Sequence, residues 1–133
     1  MGQSQPLTPT YVLVVESDPV LMMGMVDFVE QAGCQAVEAM TVDEAVGILE
    51  TRTDIRTVFA DLDMRGSIPG MKLALSIRDR WPPIELLLTS AQPWKADQLP
   101  SRGICLGKPF DRRKIVAALR KFASDPAHSG CNQ

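Results

Sequence analysis

Short apolar runs bounded by polar or turn residues recur along this chain and read as buried strands. Longer stretches with apolar positions at helical spacing separate them. Tyr11 to Val15 is the first such run, and the Asp18-Pro19 pair after it is a good helix N-cap with proline at the first helical position. A helix is expected from there to about Ala32, where Gly33 stops it, and Gln35 to Ala39 follows as a second short strand. Thr41 with Glu44 three residues on predicts a capping box, opening a helix in which Ala45, Ile48 and Leu49 share a face. Thr57 to Asp61 reads as the third strand, and Met71 to Arg80 as a helix carrying Leu73, Ala74 and Ile77, ended by Trp81-Pro82-Pro83. Ile84 to Thr89 is a fourth strand. Gln92 to Pro100, with Pro93 near its start and a second proline at its end, supports at most a short helix. Ile104 to Leu106 is a weak fifth strand, and Asp111 caps a last helix. That helix turns Ile115, Val116, Leu119 and Phe122 inward and Arg112, Arg113, Arg120 and Lys121 largely outward, most simply as a solvated face.

Strands alternating with helices predict an α/β fold: a doubly wound, five-stranded parallel sheet with right-handed crossovers and helices on both faces. A length of 133 residues, 45% of them hydrophobic and 23% charged, suits one compact domain with a sizeable core. The domain is expected over residues 11–123, between a flexible N-terminus (1–10) rich in Gln, Pro and Thr and a flexible, small or polar C-terminus (124–133).

Charge and cysteine content narrow the function classes. Fourteen basic against sixteen acidic residues give a net charge of -2, which provides no global field to attract nucleic acid or an anionic membrane. Cys34, Cys105 and Cys131 are odd in number and lack metal-ligand spacing, so reduced thiols in a cytoplasmic protein are expected. His128, the only histidine, lies in the C-terminal tail. No apolar run approaches the roughly 20 residues that span a bilayer, and Pro6 occupies the position where a myristoylation motif on Gly2 wants Ser or Thr.

In a doubly wound sheet, ligands meet the protein at the carboxyl ends of the strands. Glu16, Asp61, Thr89 and Lys108 each lie at or just after the end of a different predicted strand, so all four are expected on one edge. Singly, each has a plain alternative: Asp61 and Asp63 as the start of a solvated loop, Thr89 as a strand-end hydroxyl, Lys108 as an exposed lysine. Together they offer a carboxylate to attack a phosphoryl group, a second acid to hold Mg²⁺ through oxygen, a hydroxyl donor, and an ammonium to neutralise developing charge.

At this point the chain resembles the response-regulator receiver family, over nearly everything from Tyr11 to Phe122. VLVVESDP is similar to that family's first strand and acidic turn, FADLDM to its phospho-acceptor strand, LLLTSA to its strand ending in Thr or Ser, and GKPF to its lysine-proline turn, all in the family's order. The resemblance implies a flavodoxin-like fold, Asp61 as the phosphorylated residue, Thr89 and Lys108 as switch and phosphate contacts, a cis bond before Pro109, and Mg²⁺ held by Glu16, Asp61 and Asp63. It further implies a histidine kinase or phosphotransfer protein as donor and a downstream protein as partner, with a homodimer among the assemblies it allows. With no output domain read after Phe122, the effect is expected through a separate protein or by carrying phosphoryl onward.

The chain departs from the family pattern in three places. Ser17 stands where a second acid is usual, and a neutral hydroxyl is a weaker Mg²⁺ ligand, so affinity is expected to fall unless Asp18 or Asp63 compensates. Asp18 has the plainer role of N-cap. Asp63 matches a position that ordinarily supplies a backbone carbonyl, and its side chain is expected to face water. Cys105 falls where an aromatic that swings inward on activation is usual, and reads as a small buried hydrophobe rather than a redox sensor. Arg65 replaces a usual proline and either pairs with an acid or lies exposed. Trp94, between the fourth and fifth strands, is either an interface anchor or a cap on the core edge. Two other readings compete: a binding module that is not phosphorylated, and a phosphatase using Asp61-Leu62-Asp63 as nucleophile and general acid/base.

Overall fold

A computed structural model describes residues 9–64 and 70–124. Five strands, β1 (Tyr11–Val15), β2 (Gln35–Ala39), β3 (Ile55–Asp61), β4 (Glu85–Ser90) and β5 (Ile104–Gly107), form one sheet in the order β2-β1-β3-β4-β5. Every pairing is parallel. This is the flavodoxin-like order, whose reversal point lies between β1 and β3. The helices are α1 (Pro19–Gln31), α2 (Val42–Thr51), α3 (Gly70–Arg80) and α4 (Arg112–Ser124). Between β4 and β5 there is a single 3₁₀ turn, Ala96–Gln98, in keeping with the prolines at either end of that connection.

The strands sort their side chains by alternation, as a sheet covered on both faces requires. Leu13, Val15, Val58, Ala60, Leu86 and Leu88 pack with Val42, Ala45 and Leu49 of α2 and Leu73, Ala74 and Ile77 of α3. Val12, Val14, Phe59 and Leu87 pack on the other face with Met22, Met25 and Val29 of α1 and Ile115, Leu119 and Phe122 of α4. All four apolar residues expected inward on the last helix are buried.

Cap chemistry sets the helix starts. The Asp18 carboxylate accepts from the Val20 and Leu21 amides ahead of Pro19, and Asp111 accepts from those of Arg113 and Lys114. Thr41 accepts from the Glu44 amide, but the Glu44 carboxylate reaches Met40 N–H rather than closing on Thr41, so the reciprocal half of the capping box is displaced by one residue. Gly33, at φ +83°, ends α1 in a conformation that suits glycine.

Some boundaries differ from those read in the sequence. β3 starts two residues early because Ile55 pairs with Tyr11 across the ladder, although exposed Arg56 interrupts the apolar run. β4 is shifted by one at each end: the Ile84 amide closes a turn onto Trp81, and Ser90 pairs with Gly107.

Candidate functional site at the carboxyl edge of the sheet

Alternation along β3 determines where Asp61 goes. Phe59 faces α1 and α4, Ala60 faces α2 and α3, and Asp61 is the next residue on the α1/α4 parity. Register places Thr89 beside Asp61, and the Leu62 amide donates to the Thr89 carbonyl just beyond the pair. Glu16 extends β1 by donating its amide to the Ala39 carbonyl. Lys108 follows β5 through a cis peptide to Pro109. The four side chains expected on one edge are therefore brought to it by four different strands.

The Asp61 carboxylate is almost wholly buried, 2% exposed, and both its oxygens are engaged. Oδ1 accepts from the Asp63 amide at 2.9 Å, and Oδ2 accepts from Lys108 Nζ at 2.9 Å. Glu16 is equally buried: its Oε2 accepts from the Asp18 amide at 2.8 Å, while Oε1 has no hydrogen-bond partner among the described residues. Burial first, and then the adjacent Asp61 carboxyl, push the Glu16 acid up to about 7. Burial opposes the charge on Lys108, but Asp61 and Asp63 outweigh it and hold the ammonium above the ordinary lysine value. Thr89 Oγ1 is the second buried polar atom at this edge without a partner among the described residues.

Asp63 does not face water as the sequence suggested. Ser90 Oγ donates to its Oδ1 at 2.7 Å, the Ala91 amide donates to Oδ2 at 2.8 Å, and Lys108 Nζ lies 3.1 Å from Oδ2. Burial would raise this acid, yet the Ala91 amide, Ser90 hydroxyl and Lys108 prevail and hold it below the usual carboxylate range. A strongly ionised, ion-paired carboxylate is poorly suited to donate a proton, which counts against the phosphatase reading.

The donor set suits a hard cation with few protein ligands. Glu16 Oε1 is a buried acceptor without a donor, next to the Asp61 carboxyl, and a divalent ion bound through oxygen would satisfy both. Among the described residues no group of three or more His, Cys, Asp or Glu side chains is arranged to hold a metal. Asp18 Oδ1 caps α1, and the Asp63 carboxylate is held by Ser90, Ala91 and Lys108.

The other singled-out residues have plain positions. Cys105 is half-buried against the α2/α3-side core, and burial raises its thiol. Trp94 is half-buried against the same cluster, and its indole N–H donates to Ser90 Oγ at 3.0 Å. Arg65 lies outside the described residues.

Gly70 and Ser90 are site neighbours that sequence reading passed over. A Cβ on Gly70 would lie 2.8 Å from the Asp61 carbonyl oxygen and 2.9 Å from Leu62 Cα, so α3 begins in backbone contact with the end of β3. The signal available was a glycine at the very start of a predicted helix, in the connection leaving the acidic strand end. For Ser90 it was a second hydroxyl at the end of β4, with a tryptophan nearby whose N–H needs an acceptor.

Comparison with known proteins agrees with this geometry. The sequence matches the model of the response regulator receiver domain over residues 12–120. No curated relative of significant similarity was found. Among solved structures, the chain is similar to the signal receiver domain of an HD domain-containing protein from Pseudomonas fluorescens Pf-5, at 18% identity and a TM-score of 0.79 over 93% of this chain and 100% of that one. It is also similar to a response regulator receiver protein from Pseudomonas putida, at 24% identity and a TM-score of 0.76 over 87% of this chain and 99% of that one. A Francisella response regulator receiver domain superposes with a TM-score of 0.75 at 20% identity, over 85% of this chain and 95% of that one. Magnesium binding and phosphorylation are typical of this family, and among the described residues no helix is long and apolar enough to cross a membrane. A match over most of the chain, on a flavodoxin-like sheet with its acids, hydroxyl and lysine on one edge, establishes that the protein belongs to the response regulator receiver domain family.

Proposed function

We propose that this receiver accepts a phosphoryl group on Asp61 from the phosphohistidine of a kinase or phosphotransfer protein, and signals through contacts with a separate protein. In that transfer an Asp61 carboxylate oxygen forms a bond to phosphorus as the P–N bond breaks. The imidazole nitrogen keeps the electron pair and regains a proton from solvent. Lys108, already 2.9 Å from the carboxylate, neutralises charge on the phosphoryl oxygens. The Thr89 hydroxyl, without a partner among the described residues, donates to one of them. The Asp63 amide holds the other side of the carboxylate and orients it. Mg²⁺, when bound, offsets charge between carboxylate and phosphoryl group; Glu16 and Asp61 would hold it, with the Asp63 backbone carbonyl and water completing its coordination.

The observation that carries this reading is the pair of buried polar atoms, Glu16 Oε1 and Thr89 Oγ1, that have no partner among the described residues, at the edge where Asp61 is clamped by an ammonium. Buried polar groups are mostly hydrogen-bonded, and a bound cation at Glu16 and a phosphoryl oxygen at Thr89 would satisfy these two. Incubation with acetyl phosphate and Mg²⁺ is expected to add one phosphoryl mass to the intact protein, and Asp61→Asn to abolish that gain. No gain in the unaltered protein would leave a binding module that is not phosphorylated.

A further inference from the structure

An unbroken chain of polar contacts leads from Asp61 to the surface. Lys108 Nζ lies 2.9 Å from Asp61 Oδ2 and 3.1 Å from Asp63 Oδ2. Asp63 Oδ1 accepts from Ser90 Oγ at 2.7 Å, and Ser90 Oγ accepts from Trp94 Nε1 at 3.0 Å. The Gln92 amide donates to the same Ser90 oxygen at 3.0 Å. A hydroxyl has one proton to give and two lone pairs to fill, so Ser90 is saturated: its proton is on Asp63, and its lone pairs are on Gln92 and Trp94. Any change at Asp63 that turns the Ser90 hydroxyl therefore disturbs the indole bond directly.

Trp94 is well placed to respond. It belongs to the β4–β5 connection, whose regular structure is one short 3₁₀ turn, and it rests on the edge of the core rather than within it. Cys105, packed against the same cluster, is too small to report a change by moving. The network also holds the backbone that carries Trp94, because Asp63 accepts from Ala91 N–H and Ser90 from Gln92 N–H.

We infer that Trp94 reports the phosphorylation state of Asp61 to the protein surface, through Lys108, Asp63 and Ser90. The inference rests on the phosphoryl-acceptor reading. Converting the Asp61 carboxylate to an acyl phosphate adds negative charge and new acceptor oxygens beside Lys108. The ammonium turns to them, and Asp63 loses its cation while facing a larger negative charge. Repulsion from that charge displaces the Asp63 carboxylate, the Ser90 hydroxyl that donates to it turns to follow, and the indole bonded to the same oxygen is released from the core edge as a surface that a partner protein can bind.

Trp81 lies at the far end of the β4 strand with the Arg80 guanidinium stacked 4.4 Å over its ring, so Trp81→Phe leaves Trp94 as the single indole fluorophore. In that protein, acetyl phosphate with Mg²⁺ is expected to shift Trp94 emission to the red in step with the gain of phosphoryl mass. Ser90→Ala should gain the same mass but begin with emission already shifted and show no further change. Should Trp81→Phe not fold, the unaltered sequence labelled with 5-fluorotryptophan gives two ¹⁹F resonances, assigned with Trp94→Phe, and only that of Trp94 is expected to move. Mass gain with an unmoved Trp94 signal overturns the inference while leaving Asp61 as acceptor. Absence of mass gain overturns the acceptor reading, and the inference falls with it.

Discussion

At the scale of single residues, Ser17 follows the buried Glu16 directly, at the end of β1. Ser17 is half-buried, Asp18 Oδ1 caps α1, and Asp63 Oδ1 is bonded to Ser90. If Glu16 and Asp61 hold Mg²⁺ as proposed, a carboxylate at position 17 would add a hard anionic oxygen beside them. Ser17→Asp is therefore expected to tighten Mg²⁺ binding, measured by calorimetric titration. An unchanged affinity would show that position 17 is no part of the site. Asp63 illustrates a limit of reading residues one at a time: its placement as a neighbour of Asp61 was legible from the D-x-D spacing, but its partners were not. Ser90 and Ala91 lie at a distance of 27 and 28 positions in the chain, and only the β3–β4 pairing brings them within reach.

At the scale of elements, the site depends on how helices start as much as on where strands end. Asp18 and Asp111 hold the first turns of α1 and α4, and both were legible because N-cap chemistry is local. α3 is different, since its start is set by contact with another element. Gly70→Ala would press a methyl group into the Asp61 carbonyl and Leu62 Cα, backbone atoms with little freedom to move. The expected loss is about 1–3 kcal/mol of stability, as for other overpacked sites, read from a denaturation midpoint. A slower phosphoryl gain should accompany it, because the displaced backbone carries Asp61. Gly47, whose added Cβ would meet nothing within 4 Å, is the matching control: Gly47→Ala, at an exposed position of α2, should not destabilise.

At the scale of the whole molecule, the buried Glu16 couples the site to folding. Its carboxyl is raised from 4.5 to about 7, first by burial and then by Asp61, so the folded protein holds this proton more tightly than the unfolded chain does. Between those values the folded state carries more protons, and by linkage its stability falls as pH rises through that window. In the presence of a chelator, the melting temperature is expected to decline between pH 4.5 and about 7 through this group. Glu16→Gln should flatten that decline. A decline of the same steepness in Glu16→Gln would place its origin in other groups.

Much of the fold was legible because it is written in local periodicity. Apolar runs of strand length, helical spacing on α2 to α4 and the cap residues are each set by neighbours a few positions away, and together they imply alternating strands and helices. The candidate acceptor, its second acid, hydroxyl and lysine were legible for a related reason: in a doubly wound sheet, strand ends share an edge. What the sequence alone determined is therefore which residues end the strands and what chemistry they can offer. Tertiary structure decided the rest: that Asp63 turns toward Ser90 and Ala91, that Glu16 and Thr89 each keep a buried polar atom without a partner among the described residues, that Gly70 touches the Asp61 backbone, and that Trp94 is tied through Ser90 and Asp63 to the Asp61 edge. These features depend on register and on contacts between residues distant in the chain, and hydrophobic patterning, which specifies a face and not a partner, carries no record of either.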